Sequence, residues 1–247
     1  MNNRSSSPVN LTDCLLFTSA QNMCIIEGQG ETSLEHKLTI DKRTGLTIRV
    51  GTMDAGTIAV SKRSYRDLVI GAGSIVLDAG ACFGSFTREA LVKGARVVAY
   101  EPDPDNFKLL VLNCPAADCR RAALVSGPGS VAAPFYISTG TNMQSHSIVA
   151  FKGRPVIRIP TDNFNNVLEE VRPDTVKMDV EGAEYDLLRK PLPRFVRQLA
   201  VELHLNKRSW RAQAPDLART LAEQFTTVVR APKVGEKNWD TMGVYSR

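Results

Sequence analysis

The sequence predicts an α/β fold, a mostly parallel sheet with helices on both faces and an antiparallel edge strand. Three observations predict it. From Leu46 onward, short β-branched runs alternate with helix-patterned stretches, the rhythm of parallel strands joined by crossover helices. Glycines and acids gather in the turns that follow these runs, where open α/β sheets place their ligands. The last two apolar runs, Thr226–Ala231 and Thr241–Tyr245, have no helix between them and pair as a hairpin at the edge.

Element by element, Leu46–Val50 reads as an edge strand ended by Gly51, and residues 1–45 as a patternless segment, partly disordered or accessory. Ser74–Leu77 is a buried-type strand, and Phe86–Lys93 a helix stopped by Gly94. Val97–Tyr100 is the next strand. The turn Glu101-Pro102-Asp103 then leads into a helix that opens on Pro104, runs to Asn113 and carries Phe107 as a core anchor. Strands follow at Ala122–Val125, Val131–Ile137 and Val156–Ile159. Thr161-Asp162 should cap a helix that ends before Pro173. Thr175–Met178 is a strand, Ala183–Lys190 a helix, Gln198–Leu203 a strand and Asp216–Gln224 a helix, with a turn over Lys233–Asn238 inside the final hairpin.

Composition excludes several classes. The 247 residues suit one domain over 46–247, and 43% hydrophobic against 23% charged residues leaves no room for a disordered or fibrous reading. A net charge of +5 would favour an anionic partner only if it were clustered, and the longest basic clusters are two or three residues. No apolar run approaches the roughly 18 residues that a spanning helix needs. Met1–Pro8 lacks the order of a secretory signal. Five cysteines without a CxxC spacing predict free thiols and a cytoplasmic protein.

The first glycine turn is Asp78-Ala79-Gly80-Ala81-Cys82-Phe83-Gly84-Ser85. Its glycines allow close backbone approach, and the helix starting near Ser85 aims free N–H groups at the same place. A dinucleotide would need GxGxxG. Here an acid precedes the glycines, which repels a diphosphate and suits the cationic, phosphate-free S-adenosylmethionine. Glu101 ends the second strand, about 20 residues further on, where a carboxylate accepts hydrogen bonds from ribose hydroxyls.

Together these pieces resemble a known family. Leu46–Asp54 (LTIRVGTMD), Val76–Thr87 (VLDAGACFGSFT), Tyr100–Asn113 (YEPDPDNFKLLVLN), Lys177–Glu184 (KMDVEGAE) and Val201–His204 (VELH) are similar to the successive motifs of FkbM-type methyltransferases. The resemblance implies a Rossmann-like class I methyltransferase domain that uses S-adenosyl-L-methionine to methylate a hydroxyl of a sugar, glycan, lipid or other small molecule. It implies a cofactor site drawn from Asp78, Ala79, Gly80, Cys82, Phe83, Gly84, Ser85, Glu101, Pro102, Asn106 and Asp179. Cys82 departs from the family, which usually has asparagine there.

Methyl transfer to a hydroxyl needs in-line alignment and a base. His204 is the first candidate base and Asp179 the second, with Lys177 on the Asp179 face of its strand. His146, between strands, reads as a surface or acceptor-loop residue, and His36 lies outside the matched motifs. Asp179, Glu181, Glu202 and His204 form a donor set suited to Mg²⁺ or Mn²⁺. Glu181 and Glu184 also read simply as acids favoured at a helix N-terminus. The adenine is expected near Ala122 and Ala123, and Trp210 and Trp239 are either acceptor-stacking or packing residues. Two other readings compete. A ribose 2′-hydroxyl of RNA is an acceptor the motifs allow, although the base-holding motifs of DNA methyltransferases are absent. A non-catalytic S-adenosylmethionine-binding module is the other, against which the intact Asp78, Gly80, Gly84 and Glu101 speak.

Overall fold

The computed structural model describes residues 36–139, 141–142, 144–234 and 240–247. Its spine is a seven-stranded sheet in the order β11-β12-β10-β9-β3-β4-β5, where β3 is Ile75–Ala79, β4 Arg96–Tyr100, β5 Asp118–Arg120, β9 Thr175–Met178, β10 Gln198–Leu203, β11 Thr227–Arg230 and β12 Thr241–Ser246. Strands β5, β4, β3, β9 and β10 are parallel. As expected from the hairpin, β12 is antiparallel, and it inserts between β10 and β11. The chain leaves β3 toward β4 and β5 and later returns to β9 on the other side. Strand order therefore reverses between β3 and β9, and their carboxyl ends open the crevice used for ligands.

The period of two along each strand sorts the core into two layers. Leu77, Ala79, Val98, Tyr100, Val176 and Met178 pack on one face, and Val76, Val97, Ala99, Ala200 and Val244 on the other. These layers bury against helices: α2 (Ser85–Val92), α3 (Pro104–Asn113), α4 (Phe164–Val171), α5 (Glu184–Leu187) and α6 (Arg208–Gln224). The start of α3 is set locally, by Pro104 at its first turn and by Asp103, whose carboxylate accepts from Asp105 N at 3.0 Å and Asn106 N at 2.8 Å.

Several expectations shift. The helix predicted to be capped by Thr161-Asp162 starts later, with Asn163 as cap. Thr161 and Asp162 stay extended because they pair with Ala123 and Leu124 in a second, three-stranded sheet of β6 (Ala123–Val125), β8 (Val156–Asn163) and β7 (Ser130–Tyr136). The helix predicted over 183–190 shortens to α5. The one predicted from Asp216 begins at Arg208 and carries Pro215 inside it, where proline ordinarily ends a helix. Three elements are new, one of them the sheet-edge strand β5, which pairs with β4. Strand β1 (Leu38–Ile40) pairs with β2 (Thr47–Arg49) across residue 46, and helix α1 (Asp54–Ser64) follows. With hardly any apolar stripe of its own, α1 is tied down by the buried Arg49–Asp54 pair at 2.9 Å. Among the described residues no helix is long and apolar enough to cross a membrane. Cys82, Cys114 and Cys119 are free thiols. Cys14, Cys24, Trp239 and residues 1–35 lie outside the described residues.

Candidate active site

At the end of β3, Asp78 is fully buried. Its Oδ2 accepts from Thr87 Oγ1 at 2.6 Å, and its Oδ1 lies 3.1 Å from Lys177 Nζ. Lys177 also donates to the Gly80 carbonyl. Burial works against the Lys177 charge, but Asp78 and then Asp179 outweigh it and raise its pKa. Lys177 thus sits beneath the glycine turn as a counter-ion and a brace. Gly80 has φ +79°, and a Cβ there would lie 1.8 Å from Asp179 O, so only glycine allows the β3 and β9 ends to approach this closely.

The turn then leans on β4. Gly80 N and Ala81 N donate to Tyr100 O at 3.0 and 2.9 Å. Cys82, left-handed at φ +53°, donates its N–H to Glu101 Oε2 at 2.7 Å, and Asp103 N donates to Oε1 at 2.8 Å. Burial, then the charge of Asp103, outweighs those two N–H bonds and lifts the Glu101 pKa to about 8. Burial likewise raises the Cys82 thiol, which is no nucleophile.

These groups line a cavity of about 370 Å³. Gly80, Cys82, Phe83 and Ser85 form one wall, followed by Glu101 and Pro102, then Ala122 and Ala123 with Phe135 from the smaller sheet. Asp179, Glu181, Glu202 and His204 line the same cavity, together with Lys177. Asp78, Ala79 and Gly84 stand behind the wall. Asn106 is turned away from the cavity, where its side-chain oxygen accepts from Arg49 at 2.7 Å. His146 is buried rather than on the surface. Its Nδ1 accepts from Ser138 N at 2.8 Å, and its ring reaches the cavity. Trp210 is a packing residue: its ring stacks on Tyr185 with centroids 5.9 Å apart and covers Gly182.

His204 is held from both sides. Its Nδ1 lies 3.1 Å from Glu184 Oε1, and its Nε2 is 3.3 Å from Glu181 Oε2 and 3.7 Å from Asp179 Oδ1. Glu184, completely buried, also accepts from His204 N and Gly182 N, each at 2.9 Å, so it ties the turn before α5 to a clamp on the imidazole. Burial disfavours the imidazolium, but Glu181 and Glu184 together raise the His204 pKa well above its usual value. The acids crowd one another in turn. The charge of Asp179, then burial, pushes the Glu202 carboxyl well up, and burial raises Glu181, whose backbone is left-handed at φ +54°. Asp240 stands near His204 and Glu202, and Tyr65 donates its hydroxyl to Asp179 Oδ2 at 3.3 Å. Sequence reasoning missed Tyr65, Asp240 and the clamp role of Glu184. Tyr65 lies 114 positions from Asp179 and outside every matched motif, so nothing local marks it.

Among solved structures, the C-terminal domain of precorrin-6Y C5,15-methyltransferase from Rhodobacter capsulatus aligns at 12% identity over 76% of this chain and 89% of that one, with a TM-score of 0.43. Magnesium protoporphyrin IX methyltransferase from Synechocystis PCC 6803 with bound SAM aligns at 13% identity over 78% of each chain, TM-score 0.41. P. horikoshii TYW2 in complex with MeSAdo aligns at 12% identity over 85% of this chain and 69% of that one, TM-score 0.42. No curated protein matches the chain. The family profile described as the methyltransferase FkbM domain matches residues 78–226, more than half of the chain and the span that holds the glycine turn, Glu101, Asp179 and His204. The chain therefore belongs to the FkbM methyltransferase family and is an S-adenosylmethionine-dependent methyltransferase.

Proposed function

We propose that the enzyme transfers the sulfonium methyl group of S-adenosylmethionine to a hydroxyl of a sugar, glycan, lipid or other small-molecule acceptor. The observation that carries this reading is that the glycine turn and Glu101 line one cavity together with Asp179, Glu202 and His204. In this reading the main chain of Gly80–Ser85 cradles the cofactor, Glu101 accepts from the ribose hydroxyls, and Ala122 and Ala123 flank the adenine. The acceptor oxygen attacks the methyl carbon in line as the carbon–sulfur bond breaks and S-adenosylhomocysteine leaves. Its proton needs a base on the same side. The role expected of His204 passes to Glu202, because carboxylates flank both His204 ring nitrogens and Asp179 is engaged by Tyr65 and His204. Glu202 lines the cavity, and the charge of Asp179 and burial raise its proton affinity, as a general base requires. An acid-lined acceptor end also suits a neutral polyol better than a polyphosphate, whose charges it repels.

Glu202→Gln should lower kcat about a hundredfold while S-adenosylmethionine binding by calorimetry changes little. A variant with near-native turnover would remove Glu202 from the reaction. Cofactor affinity should also depend on pH through Glu101. Its carboxyl is largely protonated below about pH 8 in the free enzyme, whereas a ribose diol donates best to the ionised form. Binding then expels a proton, so affinity should rise roughly tenfold or more from pH 6.5 to 8.5 and level off above. Glu101→Gln should bind more weakly with that slope gone. The same slope in the variant would place its origin elsewhere.

A further inference from the structure

We infer that Asp179, Glu181 and His204 form a site for one hard divalent cation, Mg²⁺ or Mn²⁺, that holds the acceptor oxygen beside the methyl group. The use made of the cation rests on the methyl-transfer reading above, but its binding stands on geometry alone.

The donor atoms come from two elements at the switch point: Asp179 and Glu181 from the turn after β9, and His204 from the end of β10. They lie within 4.8 Å of one another. Two ligands at right angles on a cation with bonds of about 2.1 Å are about 3.0 Å apart, and opposed ligands about 4.2 Å. The His204 Nε2 separations of 3.3 Å to Glu181 and 3.7 Å to Asp179 fall in that interval, and all three donor atoms are close enough to converge on one ion.

His204 supplies the argument that acids alone could not. Its side chain is 2% exposed, and Nε2 is turned into the carboxylates. Nδ1 faces Glu184, a fully buried acid outside the donor set. A carboxylate on the far ring nitrogen is the arrangement that orients metal-binding histidines: Nδ1–H stays on Glu184, and a cation entering at Nε2 displaces the proton there. Glu202 and Asp240 stand beside the same imidazole. Two carboxylate oxygens and one imidazole favour a hard or borderline ion and leave positions open for an acceptor hydroxyl and water. A hydroxyl on that ion is polarised toward the alkoxide that attacks the methyl carbon, and Glu202 remains to take the proton.

The full chain, stripped with chelator, is titrated with Mn²⁺ alone and followed by electron paramagnetic resonance and by thermal unfolding. The expected result is one saturable Mn²⁺ per chain, displaced by Mg²⁺, with a raised Tm. Glu181→Gln and Asp179→Asn should each weaken binding tenfold or more and lose the Tm rise, and Glu184→Gln should weaken it about 10–100-fold through His204. Absence of saturable binding at millimolar Mn²⁺, or equal binding by all three variants, overturns the site. Full-rate methyl transfer in excess EDTA overturns the cation's part in the reaction and leaves the O-methyltransferase reading intact. Failure of the metal-loaded chain to bind S-adenosylmethionine would instead strike that reading, with the Mn²⁺ titration still deciding the site.

Discussion

Lys177→Met should cost the folded state about 3–5 kcal/mol, a fall in Tm of about 10 °C for a chain of this size. The ammonium is buried and faces the fully buried Asp78 at 3.1 Å while donating to the Gly80 carbonyl. Methionine keeps most of the volume, so the loss measures an uncompensated buried charge rather than a hole. That attribution is open to a direct check. In the double variant Lys177→Met/Asp78→Asn the buried charge is gone, and much of the lost stability should return. Simple addition of the two single losses would show that they act independently. S-adenosylmethionine binding should fall with stability if the turn holds it as proposed, because the same lysine braces that turn.

Gly80→Ala should be at least as damaging to binding, although it adds one methyl group. The left-handed backbone alone costs an L-residue about 1–2 kcal/mol. The new Cβ would also lie 1.8 Å from Asp179 O, a backbone atom that can move only if the ends of β3 and β9 separate. Asp179 N donates to Ala79 O at 3.0 Å, so that separation breaks a bond between the two strands and displaces the acceptor side of the site together with the cofactor side. Calorimetry should show S-adenosylmethionine affinity reduced more than a hundredfold. An alanine variant that binds within a few-fold of wild type would show that the turn does not need this close approach.

Much of this was legible in the sequence, and the pattern of what was legible is physical. Strands Thr175–Met178 and Gln198–Leu203 fall where their β-branched runs predicted, and α3 starts at its proline and aspartate cap, because such signals act over a few residues. The glycine turn and Glu101 line one cavity for a similar reason, since each lies just past its strand. Helix α1 escaped, for it has almost no apolar periodicity and is anchored by a buried ion pair. The cap before α4 was misplaced because pairing with β6 overrode a local signal.

By itself, then, the sequence determined the alternation of strands and helices, the family, and the glycines and acids that follow the strands. The tertiary structure alone decided what those acids and bases do to one another. It put Lys177 under Asp78, clamped His204 between Glu184 and Glu181, and brought Tyr65 onto Asp179. Proton affinity and metal-binding geometry depend on burial and on separations of 3–4 Å, and these are set between side chains that lie from about 20 to more than 100 positions apart in the chain.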